Sequence, residues 1–364
     1  MKYFMVAGEK SGDMHSANLC LELAKSSPNA EIVGWGGEKM EASGVKILKN
    51  YQELAFMGFW EVIKNLPTIL GFLKLAKKQI LDFNPDVIIL VDYAGFNLKL
   101  AKWAKNQGFK VVYYIAPKAW AWRASRAETI KKYVDLLLVI FPFEKAFFEK
   151  YAVNTRFVGN PLFDEIGKFE TNPNFKKDNG LTDKPIVALL PGSRKQEIES
   201  MLQLMSNLTK EYADIQWVVA GISSFDFDFY TVHGGDFKVV FDQTYDLLSV
   251  ADAAVVTSGT ATLETALFKV PQVVVYKTSN LSYQIAKRLV QIKYISLVNL
   301  VAQKEVVKEL IQHAYSLENT KKELEKLLFD NKIRDKQLIE YNGIIKTLGV
   351  VKASENAALE ILKL

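Results

Sequence analysis

The stretch Tyr3-Phe4-Met5-Val6-Ala7-Gly8-Glu9-Lys10-Ser11-Gly12-Asp13 opens the chain with an apolar run that ends in a glycine-containing loop. Such a run, bounded by glycine and followed by a helical pattern, is typical of a buried parallel strand that leads into a helix. Strand, loop and helix in this order form the repeating unit of doubly wound α/β domains. These opening residues therefore predict the fold class.

The same rhythm recurs along the chain and predicts two domains of this class. In the first half, the further apolar runs are Glu31–Trp35, Asp86–Val91, Lys110–Ile115 and Leu136–Ile140. After a polar linker at 171–180, the runs are Pro185–Leu190, Ile215–Ala220, Phe237–Phe241, Ala253–Thr257 and Gln272–Tyr276. From about Gln303 the pattern is mostly helical to the end, with a break near Gly349.

The predicted fold is α/β, with two doubly wound Rossmann-like domains and a helical C-terminal tail. We expect an N-terminal domain over residues 1–168, a second domain over 169–345 and the tail over 346–364. Ligands of such domains bind at the carboxyl ends of the strands, which would here face an interdomain cleft. The tail is expected to pack on the first domain of the same chain or of a partner chain. Packing on a partner chain would make a homodimer, and the sequence does not decide between the two.

The composition of the chain excludes several classes of protein. With 364 residues, 49% of them hydrophobic, the chain can build two cores. Its longest stretch without Asp, Glu, Lys or Arg has 11 residues, against the roughly 20 that span a bilayer, so no transmembrane helix is expected. The single cysteine, Cys20, cannot form an internal disulfide, which fits a reducing cytoplasm. A formal net charge of +5 suits a phosphorylated ligand or an anionic lipid surface better than nucleic acid.

Three strand-to-helix junctions have the composition of anion-binding loops. The first, Gly8–Asp13, is neither a Walker loop nor a full dinucleotide fingerprint, so a simple glycine turn competes with ligand contact. At the second, Ser193 and Gln196 have capping-box spacing, and Arg194 offers a fork of donors to a phosphate at the helix start. The alternative is a capped surface helix with a solvated arginine.

The third junction, Ser258-Gly259-Thr260-Ala261-Thr262-Leu263-Glu264, contains small residues that let a phosphate approach backbone amides. Glu264 is within reach of a ribose diol, as acidic residues are in other nucleotide folds. The alternative is that Glu264 only complements the helix macrodipole.

Asp92 ends the third apolar run and is a candidate general base. A carboxylate at the carboxyl end of a central strand, when partly buried, has a raised pKa that suits proton abstraction. The competing interpretation is that Asp92 caps the helix that begins near Gly95.

Two apparent metal signals are weak. Asp226-Phe227-Asp228 matches the short motif of metal-dependent glycosyltransferases, but no second carboxylate or histidine cluster lies near it in the sequence. The histidines His15, His233 and His313 lack the spacing of zinc ligands. We therefore expect no metal.

An apolar stretch begins at Phe56 and continues through Leu73, and lysines punctuate it and follow it: Lys64, Lys74, Lys77 and Lys78. Such a mixture fits contact with acyl chains and anionic headgroups, although packing in the core explains the same residues almost as well. The apolar candidates for lipid contact are Phe56, Met57, Phe59, Trp60, Leu70 and Phe72.

Taken together, these segments resemble the lipid-A-disaccharide synthase family over nearly the whole chain. The resemblance extends from residues 8–13 to 294–300. Its other segments are Phe56–Val62, Asp92–Asn97, Pro117-Lys118-Ala119-Trp120-Ala121-Trp122-Arg123, Phe141–Glu144, Leu190–Arg194 and Ser258–Glu264. Each segment is weak alone, but this many in order make the resemblance specific.

The resemblance implies a GT-B fold and an inverting, metal-independent transfer. The donor would be UDP-2,3-diacylglucosamine, the acceptor 2,3-diacylglucosamine 1-phosphate, and the products the β-1,6 disaccharide 1-phosphate and UDP. By resemblance Asp92 is the general base on the acceptor 6-hydroxyl. The implied donor-site residues are Ser193, Arg194, Ser258, Gly259, Thr260, Glu264 and Asn299. The implied acceptor or first-domain loop residues are Gly8, Glu9, Ser11, Gly12, Asp13, Asn97, Trp122 and Arg123.

The chain also departs from the family pattern. Gly95 stands where a second aspartate is usual, Asn160 replaces a histidine, Val298 replaces a proline and Lys10 replaces a small residue. These departures bear on substrate positioning and not on the class of reaction.

The expected location is the inner face of the cytoplasmic membrane of a Gram-negative bacterium, with the enzyme bound peripherally. Two other functions remain open from the sequence. One is a UDP-sugar 2-epimerase, which shares the architecture; the other is a non-catalytic, nucleotide-regulated membrane-binding protein.

Overall fold

A computed structural model describes residues 1–54, 66–122, 125–280, 283–284, 287, 293–349 and 352–364. The chain divides into two compact units. Unit 1 contains Met1–Gly167 together with Leu348–Leu364, and unit 2 contains Lys168–Thr347.

Unit 1 is built on a seven-stranded parallel sheet in the order β3-β2-β1-β4-β5-β6-β7. Its strands are β1 Lys2–Ala7, β2 Glu31–Gly36, β3 Lys46–Asn50, β4 Val87–Val91, β5 Lys110–Tyr114, β6 Leu136–Val139 and β7 Thr155–Phe157. Its helices are α1 Lys10–Ser26, α2 Glu38–Ala42, α3 Leu66–Phe83, α4 Ala94–Asn106, α5 Ala119–Trp122, α6 Ser125–Tyr133, α7 Pro142–Glu149 and α8 Leu162–Ile166.

Unit 2 carries a six-stranded parallel sheet in the order β10-β9-β8-β11-β12-β13. Its strands are β8 Ile186–Leu190, β9 Gln216–Gly221, β10 Lys238–Phe241, β11 Ala253–Thr257, β12 Gln272–Tyr276 and β13 Lys308–Ile311. The helices that follow α8 in chain order are α9 Phe175–Asp178, α10 Lys195–Thr209, α11 Phe227–Thr231, α12 Thr244–Val250, α13 Thr260–Leu267, α14 Leu297–Ala302, α15 Leu317–Phe329 and α16 Asn331–Leu348. The last helix, α17 Ala353–Leu362, belongs to unit 1.

The central strands are buried on both faces, which explains their unbroken apolar sequences. Every residue of β4 and β8 is buried, because helices cover both sides of a parallel sheet. In unit 1 one core packs around Trp35 and Phe96, and the other packs around Tyr114 and Leu19. The predicted fold class is confirmed: two doubly wound parallel sheets are followed by a helical C-terminal end.

The sequence pattern missed three strands. Two of them, β3 and β7, lie at the edges of the first sheet, where partial exposure hides the apolar signal. The third, β13, contradicts the prediction of a mostly helical sequence after Gln303. It has only four residues, Lys-Glu-Leu-Ile, and it is held in place by pairing with β12.

The C-terminal helix α17 packs against α1 of the same chain. Its start is held by Asp164, which is 9% exposed. One carboxylate oxygen of Asp164 accepts hydrogen bonds from the backbone N–H of Lys352 (2.9 Å) and Ala353 (3.0 Å). The other accepts from the backbone N–H (2.9 Å) and the hydroxyl (2.7 Å) of Ser354. A carboxylate at a helix start stabilises the free amides there.

None of the helices within the described residues combines the length and the apolar character that a membrane crossing requires.

Candidate active site

Three loops of unit 1 meet at the carboxyl edge of its sheet. Ala7, the last residue of β1, pairs with Val91 of β4, and Val91 pairs with Tyr114 of β5. The residues that follow these strand ends, Gly8, Asp92 and Ile115, therefore lie side by side. This edge is where ligands of doubly wound sheets bind.

The backbone at Asp92 is held in an unusual conformation. Asp92 (φ 45°) and Tyr93 (φ 47°) are both left-handed, as is Ile115 (φ 63°), a β-branched residue for which this region is strongly disfavoured. The backbone N–H of Asp92 donates to the carbonyl of Tyr114 (3.0 Å), and its own carbonyl accepts from the Asn97 amide (2.9 Å). Backbone strain of this kind persists only where the surroundings enforce it, and it clusters at functional sites.

Asp92 is not the cap of the following helix. α4 begins at Ala94 with Tyr93 in the N-cap position, and no side-chain hydrogen bond caps it. The alternative of a capping role for Asp92 was therefore wrong. A Cβ at the neighbouring Gly95 would meet no heavy atom within 4 Å, so the glycine there is not required by close packing.

The carboxyl group of Asp92 has the electrostatics of a general base. Burial, aided by the negative charge of Glu9, raises its pKa from 3.8 to about 6, while the Lys118 ammonium group opposes the rise. Such a carboxylate is ionised at neutral pH and yet more basic than an exposed one. It can therefore accept a proton from a hydroxyl group.

The residues of the first predicted loop, Gly8–Asp13, have different environments beside Asp92 and Tyr93. Gly8 is buried, and a Cβ there would lie 2.3 Å from the Tyr93 ring, so the ring needs glycine at this position. Glu9 and Ser11 are exposed, whereas Gly12 is buried. Asp13 is 2% exposed, and its carboxylate accepts from three backbone N–H groups at the start of α2. These donors are Gly37 (2.6 Å), Lys39 (3.0 Å) and Met40 (3.2 Å).

Asn97 is fully buried, and its amide donates to the carbonyls of Val91 (3.1 Å) and Asp92. It therefore braces the end of β4. Its predicted contact with the acceptor remains a prediction.

The loop after β5 is anchored by a buried carboxylate. The Trp120 indole N–H donates to Glu144 (3.1 Å), which also accepts from the backbone N–H of Ile140 (3.2 Å) and Phe141 (3.1 Å). Burial raises the pKa of Glu144 to about 7 against these hydrogen bonds. Trp122 ends α5, and Arg123 lies outside the described residues.

Only two of the predicted lipid-contact residues, Leu70 and Phe72, lie in the part of the chain that the structure describes. Phe56, Met57, Phe59 and Trp60 lie outside the described residues. On α3, Leu70 is 53% exposed. Phe72 packs edge-on against Trp35, with ring centroids 6.3 Å apart, and is half-buried.

In unit 2 the helix after β8 starts later than the sequence suggested. α10 begins at Lys195, Arg194 occupies the N-cap position, and no side-chain hydrogen bond caps the helix. The predicted capping box of Ser193 and Gln196 was therefore wrong. The chain turns at the left-handed Gly192 (φ 114°), two residues before this N-cap. The Arg194 guanidinium lies 2.9 Å from the Glu197 carboxylate.

The loop after β11 lies beside the loop after β8, since Leu190 of β8 pairs with Val256 of β11. After β11, the Ser258 hydroxyl donates to the Ile295 carbonyl (3.0 Å). Gly259 is the N-cap of α13, and Thr260, its first residue, is exposed.

Glu264 lies in the second turn of α13 and accepts a hydrogen bond from the Tyr245 hydroxyl (2.9 Å). Burial raises the pKa of Glu264. Tyr245 therefore fixes the orientation of this carboxylate.

Asn299 is fully buried and uses both ends of its amide within the protein. Its oxygen accepts from the backbone N–H of Val306 (2.7 Å) and Val307 (3.0 Å). Its nitrogen donates to the Val307 carbonyl (2.8 Å) and to Glu309 (2.9 Å). Asn299 therefore organises the segment that supports Ser258.

The remaining motif residues and departures have local roles. Asp226 caps α11 through the Phe229 N–H (2.9 Å). Asn160 is buried and accepts from the backbone N–H of Leu162 (3.0 Å), Val298 is buried within α14, and Lys10 is the exposed first residue of α1. Within the described residues, no three His, Cys, Asp or Glu side chains gather into a group able to hold a metal ion.

Several residues around the candidate site were assigned no role from the sequence, although Lys118 and Glu144 lie in segments that carry the family resemblance. They are Tyr113, whose hydroxyl donates to the Asp92 carbonyl, Lys118, Glu144, Tyr245 and Glu309. Glu144 carried a usable signal, because Phe-Pro-Phe-Glu places a glutamate three residues after a helix N-cap. The other pairings are long-range and leave no local pattern.

Three comparisons define what the chain is similar to. The sequence profile of the lipid-A-disaccharide synthetase family matches residues 3–361. A lipid-A-disaccharide synthase of Geobacter sulfurreducens is 37% identical over 375 residues, covering 100% of this chain and 97% of the relative. Among solved structures, the UDP-GlcNAc 2-epimerase of Neisseria meningitidis bound to UDP-GlcNAc has a TM-score of 0.69 at 15% identity, with full coverage of both chains. The calicheamicin glycosyltransferase CalG4 has a TM-score of 0.61 at 15% identity, covering 100% of this chain and 97% of its own.

Two doubly wound parallel sheets with helix-start loops at their carboxyl edges define the GT-B class of fold. The structural likeness alone establishes only the fold, which epimerases share. The sequence comparison is more specific: the chain belongs to the lipid-A-disaccharide synthetase family and is a glycosyltransferase of lipid A biosynthesis.

Proposed function

We propose that the chain is an inverting glycosyltransferase that joins two acylated glucosamines. It transfers 2,3-diacylglucosamine from UDP-2,3-diacylglucosamine to the 6-hydroxyl of 2,3-diacylglucosamine 1-phosphate. The products are the β-1,6 disaccharide 1-phosphate and UDP. The observation that carries the proposal is the half-buried Asp92 at the carboxyl end of β4, with its pKa raised to about 6.

In this mechanism Asp92 removes the proton from the acceptor 6-hydroxyl. The oxygen attacks the anomeric carbon of the donor from the face opposite UDP, which inverts that carbon. The bond from the anomeric carbon to the UDP oxygen breaks, and UDP leaves with the electron pair. A base near its operating pH supplies about 10²–10⁴ in rate.

Unit 2 supplies the groups suited to the leaving UDP. The N-terminal end of α10 presents free backbone amides, and Arg194 stands at that end as a cation. Such donors stabilise a departing pyrophosphate without a metal ion. Glu264 and the turn at Ser258–Thr260 are the proposed contacts to the rest of the nucleotide.

The replacement Asp92→Asn tests the base most directly. Asparagine keeps the shape of the side chain and removes its basicity, so turnover should fall about 10²–10⁴-fold. Asp82→Asn is the matched control, because Asp82 is exposed on α3 and pairs only with a neighbouring lysine of that helix, Lys78, in the contacts described. Turnover near the wild-type rate in Asp92→Asn would remove Asp92 from this role.

Activity in the presence of EDTA tests the expectation that no metal takes part. We expect unchanged turnover. Loss of activity that manganese restores would direct attention to Asp226 and Asp228, whose short motif suits a metal-dependent transferase.

We further propose that the enzyme binds the cytoplasmic face of the inner membrane peripherally through α3 and the residues before it. Leu70 is exposed on this helix, and Lys74 and Lys78 are exposed beside it, a combination suited to acyl chains and anionic headgroups. Flotation with anionic vesicles should weaken in Leu70→Ser, whereas Leu359→Ser, at an exposed leucine of α17, should bind normally. Equal flotation of both variants would contradict this surface.

A further inference from the structure

Three aromatic side chains of unit 2 pack on one another beside Glu264. The ring of Phe169 lies edge-on to the rings of Tyr245 and Phe268, with ring centroids 5.4 Å and 5.9 Å apart. The ring centroids of Tyr245 and Phe268 are 5.1 Å apart. Each side chain is half-buried, and we call the three the aromatic trio. The Tyr245 hydroxyl donates to Oε1 of Glu264 (2.9 Å), so the trio contacts this carboxylate directly.

We propose that the aromatic trio positions the Glu264 carboxylate for a ribose hydroxyl and thereby sets the enzyme's preference for a nucleotide with an intact ribose diol. The proposal rests on the proposed contact between Glu264 and the nucleotide. Tyr245 is the positioning residue that acts on Glu264, and Phe169 and Phe268 act through Tyr245. None of the three is assigned a contact with the reacting atoms.

The trio joins the segment through which the chain enters unit 2 to two helices of that unit. Phe169 is the second residue of unit 2, which begins at Lys168. Tyr245 lies in the first turn of α12, and Phe268 is the C-cap of α13. The three rings therefore connect the entry segment with both helices.

A second contact holds the entry segment on α12. The backbone N–H of Asn172 donates to the Asp246 carboxylate (2.8 Å). Asp246 directly follows Tyr245, so Phe169 and Asn172 contact neighbouring residues of the same helical turn. Two contacts made three residues apart give the Phe169 ring a fixed place against Tyr245.

The helix α13 presents Glu264 and Phe268 to Tyr245 on one face, because residues four apart in a helix lie one above the other. The backbone N–H of Phe268 donates to the Glu264 carbonyl (3.0 Å), so the helical spacing continues to Phe268. Tyr245 therefore meets Phe268 with its ring and Glu264 with its hydroxyl. A ring that packs against two others is restricted in its orientation, so its hydroxyl holds the carboxylate in one place.

The hydrogen bond from Tyr245 also suits Glu264 for binding a further hydroxyl group. Burial raises the pKa of Glu264, and the Tyr245 hydroxyl opposes that rise because it donates to the ionised carboxylate. A carboxylate accepts hydrogen bonds through two oxygens at about four positions, and Tyr245 donates to one of them. The other positions suit a ribose hydroxyl, which donates its proton to the acceptor.

Loss of the Tyr245 hydroxyl should weaken the binding of UDP more than the binding of an analogue that lacks a ribose hydroxyl. The analogue has already lost a hydrogen bond to Glu264, so it gains nothing from a well-placed carboxylate. A hydrogen bond to a charged group corresponds to about 10-fold in affinity or more, so we expect the wild type to bind UDP about 10-fold more tightly than the deoxy analogue. In Tyr245→Phe this ratio should fall to about 3-fold or less.

The experiment uses isothermal titration calorimetry on the full chain to measure Kd for UDP, 2′-deoxy-UDP and 3′-deoxy-UDP. The variants are Tyr245→Phe, which keeps the ring, and Phe169→Leu, which keeps an apolar side chain without the ring. Tyr212→Phe is the matched control, because the Tyr212 hydroxyl donates to the Glu325 carboxylate (2.6 Å) before the start of β9, toward the amino edge of the sheet. We expect the preference for UDP over at least one deoxy analogue to fall in both trio variants and to keep its wild-type value in the control.

Two results would overturn the proposal. One is an unchanged Kd for UDP in Tyr245→Phe. The other is an equal rise of Kd for all three nucleotides in both trio variants, since the rings would then support the nucleotide site as a whole without placing the ribose contact.

The variant Glu264→Gln separates failure of this proposal from failure of the proposed function. If Glu264→Gln loses the preference for the ribose diol while both trio variants retain it, Glu264 binds ribose without help from the trio, and only the role of the trio falls. If the wild type shows no preference and still forms disaccharide from the acylated pair, the contact of Glu264 and the role of the trio both fall, while the transferase function stands.

Discussion

Asp13 provides a test of whether a residue of the first loop anchors the fold or binds a ligand. The sequence motif places it in a predicted acceptor loop, yet its carboxylate is buried against three backbone N–H groups at the start of α2. Replacing it with asparagine leaves one oxygen, which can keep the bonds to Gly37 and Met40. The new amide nitrogen then faces the N–H of Lys39, so one bond to a charged acceptor is lost and two donors oppose each other.

The size of the effect follows from these contacts. A hydrogen bond to a charged group contributes about 1.5–3 kcal/mol, and a buried donor without a partner adds to the loss. We therefore expect Asp13→Asn to lower the free energy of unfolding by about 2–3 kcal/mol. For a folding unit of roughly 180 residues, that corresponds to a fall in Tm of about 4–12 °C.

Thermal unfolding and steady-state kinetics should be measured on the same preparations. Asp82→Asn, at an exposed carboxylate of the same unit, is the control and should change Tm by no more than about 1–2 °C. Asp13→Asn should retain most of its kcat below its unfolding temperature. An unchanged Tm together with a large rise in KM for the acceptor would refute the anchoring role and favour direct ligand contact.

Three further outcomes are expected. Glu309→Gln should raise KM for the UDP-sugar about 10-fold with a smaller change in kcat. The reason is that Glu309 accepts four hydrogen bonds from the segment that supports Ser258. An unchanged KM for the UDP-sugar would contradict this role. The pKa of Glu144 is raised in the folded state, so folded protein binds more protons than unfolded protein between about pH 4.5 and 7, and stability falls as pH rises through this window. Glu144→Gln should remove up to about 3 kcal/mol of that dependence in urea unfolding at pH 5 and 7.5; an identical dependence would contradict the assignment. Asp164→Ala should destabilise unit 1 by about 2–4 kcal/mol and expose α17 to proteolysis, whereas wild-type protease resistance would argue against this anchor.

The central strands were predictable from sequence because burial on both faces requires unbroken apolar runs. β11 and β12 have the predicted bounds, and β4 differs by one residue at its start. The edge strand β3 was missed, since none of its residues is fully buried and it therefore lacks a continuous apolar run. The short strand β13 depends on pairing with β12, a contact that local sequence does not encode.

In the candidate site, too, local sequence predicted some features, and contacts between distant segments determine the others. Asp92 was predictable because a carboxylate directly after a buried strand must lie at the carboxyl edge of the sheet. The left-handed backbone of Asp92, the charge of Lys118 and the bond from Tyr245 to Glu264 arise from contacts between distant segments. Asn299 was identified by resemblance. The hydrogen bonds of its side-chain amide to backbone groups and to Glu309 follow from the fold and not from local sequence.

In the proposed reaction the enzyme transfers an acylated glucosamine from UDP to a second acylated glucosamine. The most direct measurement incubates purified protein with UDP-2,3-diacylglucosamine, with and without 2,3-diacylglucosamine 1-phosphate, and quantifies UDP and disaccharide. We predict equal amounts of UDP and disaccharide, formed only when the acceptor is present and reduced about 10²–10⁴-fold in Asp92→Asn. Conversion of the UDP-sugar to its 2-epimer without acceptor, or binding of UDP with no turnover of the acylated pair, would contradict the claim.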